Sequence, residues 1–237
     1  MATRPQTWWW GFVTIAGIHL VALLLSVSEV SRATKPLLMP VLLVWFLAAT
    51  PRSRLRTIVA VGLGFSWIGD VALMGEGETW FLAGLGGFLV AQVLYAVAFW
   101  PSRGRSVLHR PVLTTPYVAA VVALLAVLWP HLGELRIPVV LYAVAIIVMA
   151  ILATGLGPTV AIGAILFVIS DSLIALDAVA GLARLPQHSL WVMATYLAAQ
   201  GMIARGVSRS VGRTEADETE EQQPGPGDDQ PPLTPSP

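Results

Sequence analysis

Eight apolar runs dominate the sequence, at about 7–27, 36–50, 55–74, 80–100, 112–130, 137–154, 158–177 and 187–206, each bounded by charges or by Pro and Gly. A helix needs ~17–25 apolar residues to cross the hydrocarbon of a bilayer, so most of these runs fit one span each. The second is short, and its helix is expected to begin nearer Arg32. The chain is therefore read as an all-α membrane protein with eight transmembrane helices. Composition agrees, with 12% charged and 56% hydrophobic residues and a mean hydropathy of +0.73, where a soluble domain carries about 25% charged residues. The first run lacks a basic leader and a small-residue cleavage site, so it reads as a retained helix.

Orientation follows from the basic residues. An even number of spans puts both termini on one side. With the N-terminus inside, ten of the fourteen Lys and Arg residues fall inside: Arg4, Arg52, Arg54, Arg56, Arg103, Arg105, Arg110, Arg205, Arg209 and Arg213. Arg32, Lys35, Arg136 and Arg184 fall outside. The positive-inside rule thus favours both termini inside, and Trp8, Trp9 and Trp10 become an interfacial anchor. The expected location is the cell membrane, as a multi-pass protein.

The transmembrane domain is expected to occupy residues 1–207. Residues 208–237 are expected to form a disordered, acidic, Pro-rich cytoplasmic tail, because beyond Arg213 the chain holds seven acidic and no basic residues and few apolar ones. Such a segment cannot bury enough apolar surface to offset chain entropy.

Two carboxylates break the apolar pattern: Asp70 in "FSWIGDVALM" and Asp171 in "LFVISDSLIAL". An ionisable group in a span costs ~2.5 kcal/mol or more, so each marks a candidate functional position. The two segments also resemble one another. Gly62 and Gly163 each stand eight residues before their Asp, the helices that follow carry Gln92 and Gln200, and Pro36 and Pro138 are expected to open the helices that precede. The chain thus reads as two parallel four-helix repeats related by an axis along the membrane normal. Asp70, Asp171 and Lys35 then lie at one depth, which suggests a shared polar cavity inside the bundle.

Each candidate has a plainer alternative. Lys35 alone reads as a snorkelling interfacial lysine, and Asp70 as a boundary residue beside "GEGE". Asp171, flanked by Ser170 and Ser172, is expected to be the more deeply buried carboxylate. Gln92 and Gln200 suit interhelical hydrogen bonds. Tyr95, Tyr142 and Tyr196 suit packing, and His19 suits a satisfied core position.

Several chemistries are excluded or unsupported. The chain has no cysteine, hence no disulfide framework, thiolate nucleophile or thiolate metal site. It has no asparagine, hence no N-glycosylation acceptor. G-x-S-x-x-G at Gly64, Ser66 and Gly69 is one residue too long for a nucleophile elbow and lies in a membrane helix. No H-E-x-x-H occurs among the four scattered histidines, so no metal and no cofactor are expected. Gly62, Gly84 and Gly87 read as sites of close helix approach.

Taken in order, "TKPLLMP" at 34–40, "GD" at 69–70, "FLVAQVLY" at 88–95, "LFVISDSLIAL" at 166–176 and "YLAAQ" at 196–200 resemble the YhhN-like family of integral membrane lysoplasmalogenases, over about residues 8 to 207. The resemblance implies eight helices and hydrolysis of the vinyl ether bond of lysoplasmalogens to a fatty aldehyde and a glycerophospho-ethanolamine or -choline. It implies Lys35, Asp70, Gln92, Tyr95, Asp171 and Gln200 as site residues; Tyr142, Ser170, Ser172 and Tyr196 are counted beside them as further candidate substrate contacts. Gln92 departs from the histidine common at that position in the family, so a mechanism needing an imidazole there does not fit this chain.

Paired carboxylates suit this reaction. Protonation of the vinyl carbon distal to oxygen gives an oxocarbenium ion, water adds, and the hemiacetal collapses, much as in glycoside hydrolysis, where one carboxyl is the acid and the other a charged partner. Asp171 is assigned as the acid and Asp70 as the base or electrostatic partner, with Lys35 as Asp70's counter-charge or as the ligand of the substrate phosphate. The expected partners are a lysophospholipid substrate and membrane lipids, with no nucleic acid. A proton-coupled or small-molecule transporter is the alternative that the same repeats and carboxylates allow.

Overall fold

The computed structural model describes residues 5–182 and 185–221, and these form an all-helical bundle with no strand among them. Eight α-helices follow in order: α1 (Pro5–Leu24), α2 (Ser28–Ala49), α3 (Arg54–Ala72), α4 (Glu78–Phe99), α5 (Pro111–Leu128), α6 (Arg136–Ala153), α7 (Pro158–Ala178) and α8 (His188–Glu221). Short 3-10 turns join α4 to α5, α5 to α6 and α6 to α7. Seven helices, α1 to α7, are long and apolar enough to cross a membrane. The eighth is not among them, because the apolar part of α8 is interrupted by Gln200 and Arg205.

Two boundaries differ from the sequence reading. The second helix starts at Ser28, so Pro36 lies inside it together with Pro40 and does not open it. Pro40 has no N–H to give the carbonyl one turn back, and that carbonyl, Pro36 O, instead accepts the Trp67 indole N–H from α3 at 2.9 Å. A proline is tolerated in a membrane helix where a neighbour satisfies the freed group in this way. The last helix runs on to Glu221, well past the expected start of a disordered tail at residue 208. No proline interrupts the chain there until Pro224, and a helix already formed extends at small cost per residue. Residues 222–237 lie outside the described residues.

Helices pack most extensively as consecutive pairs: α3 on α4, α7 on α8 and α1 on α2, with α4 also lying on α6. Lipid tails are as apolar as leucine, so close backbone approach drives such packing. At Gly87 a Cβ would sit 2.9 Å from Gly69 N and 3.0 Å from its Cα, and α3 and α4 therefore touch backbone to backbone beside Asp70. At Gly163 a Cβ would lie 2.9 Å from Ala199 O and 3.0 Å from Ile203 N, which brings α8 equally close to α7. Gly62 serves a different purpose. It leaves room for the Tyr95 ring, which a Cβ there would meet at 2.6 Å.

The core runs through Leu38, Phe46, Leu63, Phe99, Met149 and Phe167. Valines and isoleucines such as Val13, Val61, Val93, Val122 and Ile162 form the exposed outer surface, which suits a bilayer. The α5 helix is the most exposed of the seven candidate spans. Of the three N-terminal tryptophans, Trp9 packs against Trp45 with the rings tilted at 59° and 4.8 Å apart and lies under the Arg205 guanidinium at 4.5 Å, an arrangement suited to the end of a span.

Candidate active site

The polar side chains converge on one half of the bundle, near the end at which α1, α3 and α7 finish and α2, α4, α6 and α8 begin. Ser66 and Asp70 stand one turn apart on α3, so both face inward at the glycine-tight contact with α4. On α8, Tyr196 and Gln200 stand one turn apart in the same way. These two pairs meet. Tyr196 donates its hydroxyl proton to Asp70 Oδ2 at 2.7 Å. Gln200 Nε2 donates to Ser66 Oγ at 3.0 Å and lies 3.5 Å from the Tyr196 hydroxyl. Gln200 Oε1 accepts from the Tyr95 hydroxyl of α4 at 3.0 Å. All five side chains are buried, with Asp70 4% exposed. The amide orientation and both tyrosine protons are thereby fixed, which is what a fully satisfied buried network requires.

Aromatic rings hold Tyr196 in place. Phe88 and Phe167 meet its ring edge to face at 5.8 and 5.5 Å, and each other at 6.2 Å. Asp171 lies on the other side of this cluster, where Tyr142 of α6 donates to its Oδ2. Two small cavities flank the Tyr142–Asp171 pair. One, of about 50 Å³, is walled by Leu73, Leu85, Phe88 and Val139 among others; the other, of about 40 Å³, lies under α5. Asp171 is only half-buried, so the expected order of burial is reversed. Asp70 is sealed because the backbones of α3 and α4 touch beside it, whereas Asp171 faces gaps between more loosely packed helices.

The two carboxylates lie within electrostatic reach of one another, and Lys35 lies within reach of Asp70. Among the described residues no Lys or Arg forms an ion pair, the one side-chain contact of that range joining His188 to Asp177 at 3.8 Å, so Lys35 acts on Asp70 through space. Lys35 sits seven residues into α2, within the bundle. Gln92 is fully buried beside Tyr142. The serines next to Asp171 do not join the two networks: Ser170 donates to Val192 O at 3.1 Å and ties α7 to α8, and Ser172 donates to Val168 O in its own helix at 2.7 Å. Ser172 nevertheless lines the smaller cavity.

Two participants were passed over in the sequence. Ser66 was legible from its place one turn before Asp70. His19 is buried but only half satisfied: its Nδ1 lies 2.8 Å from Thr34 Oγ1, whose proton goes to Val30 O at 2.7 Å, so Nδ1 is the donor. Nε2 is then the lone-pair nitrogen, buried without a hydrogen-bond partner and near Lys35. No group of three His, Asp or Glu side chains able to hold a metal occurs among the described residues.

Several named proteins are similar to this chain. A protein named lysoplasmalogenase from Mycobacterium bovis is 39% identical, over 57% of this chain and 55% of its own length, and one of the same name from Mycobacterium tuberculosis matches to the same extent. A protein named lysoplasmalogenase TMEM86B from Sus scrofa is 32% identical over 61% of each chain. The chain thus spans a little over half the length of the curated relatives it matches. No solved structure matches. The sequence profile of the YhhN family covers residues 30–207, from the start of α2 into the middle of α8 and so across every helix that carries Asp70, Asp171 and their partners, and the chain belongs to that family.

Proposed function

We propose that this protein is a membrane-embedded hydrolase that cleaves the vinyl ether bond of lysoplasmalogens, releasing a fatty aldehyde and a glycerophospho-ethanolamine or -choline. The observation that carries the reading is the pair of intramembrane aspartates, each held by one tyrosine and within electrostatic reach of the other, in a family whose relatives bear the name lysoplasmalogenase.

Asp171 is the acid. It opens on an apolar cavity, where the vinyl carbons of a lipid chain are at home, and its protonated carboxyl delivers a proton to the carbon distal to the ether oxygen. The resulting oxocarbenium ion is stabilised by the negative field of Asp70, as the second carboxylate of a glycosidase stabilises its own cation. Asp70 is sealed and bonded to Tyr196, which suits a fixed charge better than a group that must meet substrate. Lys35, at the entry side of α2, balances Asp70 or receives the substrate phosphate. The cavity beside Asp171 admits only a few atoms as it stands, and α5, the most exposed candidate span, walls its neighbour; outward movement of α5 is the route for the alkenyl chain.

In the same reading the two Asp-bearing halves are parallel four-helix repeats, and the bundle lies in the cell membrane with both termini on the cytoplasmic side. The pairing of α3 with α4 and of α7 with α8 supports the repeat. Aldehyde release from a lysoplasmalogen in detergent, coupled to an aldehyde dehydrogenase, tests the proposal. Release by the wild type and its loss in Asp70→Asn and Asp171→Asn is the expected result. Wild-type protein that releases no aldehyde from choline or ethanolamine substrates overturns it.

A further inference from the structure

The active site makes no use of the groove between α1 and α8. This groove is an open trough of about 510 Å³ on the outside of the bundle, floored by hydrocarbon such as Phe12, Leu20 and Leu197. Small side chains keep its walls low: Ala16 and Gly17 on α1, and Ala194, Ala198 and Gly201 on α8. A Cβ at Gly17 would meet nothing within 4 Å, so the trough is open space there and not a packed contact. The three α8 residues recur at i, i+4 and i+7 and share one face. Tyr196 and Gln200 leave the opposite face of the same helix to reach Asp70 and Ser66.

The trough ends in arginines. Arg205 and Arg209 line it, and a second cavity, of about 420 Å³, is walled by Arg209 and Arg213 together with Pro158 and Thr159 at the start of α7. Thr159 and Arg209 border both spaces, so an apolar channel leads into a basic one. Arg205 is taken up by the Trp9 ring, 4.5 Å from its guanidinium, a pair that suits the level of the membrane interface. Arg209 and Arg213 lie one and two turns farther out and are exposed. Among the described residues neither pairs with a carboxylate. From Ala194 to Arg209 the trough follows fifteen residues of α8, about 22 Å at 1.5 Å per residue, which is half of the ~40–45 Å of a bilayer with its headgroups and so the length of one lipid.

We propose that the groove binds one anionic phospholipid from the leaflet on the arginine side, with an acyl chain in the trough between α1 and α8 and the phosphate on Arg209 and Arg213. Charge and length select this occupant. Two cations without a counter-charge stand at the end of a hydrocarbon trough, and a phosphate diester supplies that charge in a form the guanidinium fork fits. A zwitterionic lipid brings its own cation to the same place and gains less. The acidic end of the chain fits less well: residues 222–237 hold Asp228 and Asp229 but only Leu233 as a large apolar side chain, and so lack the hydrocarbon to fill the trough. The bound lipid clamps α1 to α8. The inference is independent of the hydrolase reading, and α1, Arg209 and Arg213 all lie outside the residues 30–207 that the family profile matches.

The test offers the full-length protein in mild detergent equal amounts of phosphatidylglycerol and phosphatidylcholine with the same acyl chains, and reads bound lipid by native mass spectrometry. Wild type holds one phosphatidylglycerol in preference by about 10-fold, the scale of two arginines beside an anionic lipid, and phosphatidylglycerol raises its unfolding midpoint. Arg209→Gln with Arg213→Gln brings the two lipids to parity and abolishes that rise. Gly17→Leu with Ala198→Leu fills the trough, leaves both arginines in place and also loses the bound phosphatidylglycerol. Lipid-free unfolding midpoints near that of wild type confirm that both double variants are folded. A wild type without preference overturns the proposal, and so does a preference that survives either double substitution. Displacement of the lipid by glycerol phosphate, or by a peptide of residues 222–237, also overturns it and assigns the arginines to a free phosphate or to the acidic segment.

Discussion

The bond from Tyr196 to Asp70 allows a test of the site that does not depend on knowing the substrate. Tyr196→Phe keeps the ring and its edge-to-face contacts with Phe88 and Phe167 and removes only the hydroxyl that Asp70 meets at 2.7 Å. Two magnitudes compete. A hydrogen bond to a carboxylate contributes about 1.5–3 kcal/mol in soluble proteins. Interhelical hydrogen bonds in bilayers average about 0.6 kcal/mol, with about 1.7 as the upper end, because the unfolded chain also finds partners. Asp70 is 4% exposed, so water cannot replace the lost donor, and the loss should lie near the upper end of the membrane range, about 1–2 kcal/mol. Asp171 is half-buried beside a cavity, so Tyr142→Phe should cost less. Unfolding in mixed dodecyl sulfate micelles, followed by tryptophan fluorescence, measures both, and a double-mutant cycle of Tyr196→Phe with Asp70→Leu isolates the pair. A coupling below about 0.5 kcal/mol, the level at which independent sites add, would refute the argument, as would a larger loss in Tyr142→Phe than in Tyr196→Phe.

Other perturbations separate chemistry from scaffold. Asp171→Asn should lower turnover by about 100-fold or more, the scale of a lost general acid, and substantial activity in both it and Asp70→Asn would rule out a two-carboxylate mechanism. Gly87→Ala drives a Cβ to 2.9 Å from Gly69 N; it should destabilise by about 1–3 kcal/mol and lower activity, since Gly69 precedes Asp70. Its control is Gly86→Ala, which meets nothing within 4 Å and should gain up to about 1 kcal/mol in unfolding measurements from helix propensity. If Lys35 receives the substrate phosphate, Lys35→Met should raise KM more than it lowers kcat in saturation kinetics; an unchanged KM assigns the lysine to Asp70 alone.

Much of this arrangement was legible in the sequence, for a physical reason. Apolar runs long enough to span a bilayer leave few folds open, and ionisable groups inside them stand out. Asp70 and Asp171 were therefore visible, as were the glycines that let α3 meet α4. Pro36 misled because a proline usually opens a helix in soluble proteins, whereas here it lies inside α2, and the Trp67 indole satisfies its carbonyl, which Pro40 leaves free one turn on. Relative burial could not be read, since apolar residues surround both aspartates along the chain and only the packing between helices tells the two environments apart. Tyr142 and Tyr196 looked like packing residues for a related cause. Their hydroxyls meet partners 29 and 126 residues away, and no local pattern carries such a pairing. Ser66 differs, because the i, i+4 spacing to Asp70 was present on the page.

The two aspartates occupy similar sequence contexts but are held in different ways, and that difference decides what mutants can report. Asp70 takes its donor from α8, in the opposite half of the chain, through a network that also joins Ser66 and Tyr95 to Gln200. Docking α8 against α3 and α4 and fixing the Asp70 carboxylate are therefore one structural event. A substitution anywhere in that network changes stability and activity together, and its kinetics alone cannot assign a chemical role. Asp171 takes its donor from α6, the helix immediately before its own, beside a small cavity. Substitutions there disturb fewer of the contacts that hold the bundle together. The chemistry of the site is best dissected from the Tyr142–Asp171–Gln92 side, and its assembly from the Asp70–Tyr196–Gln200 side.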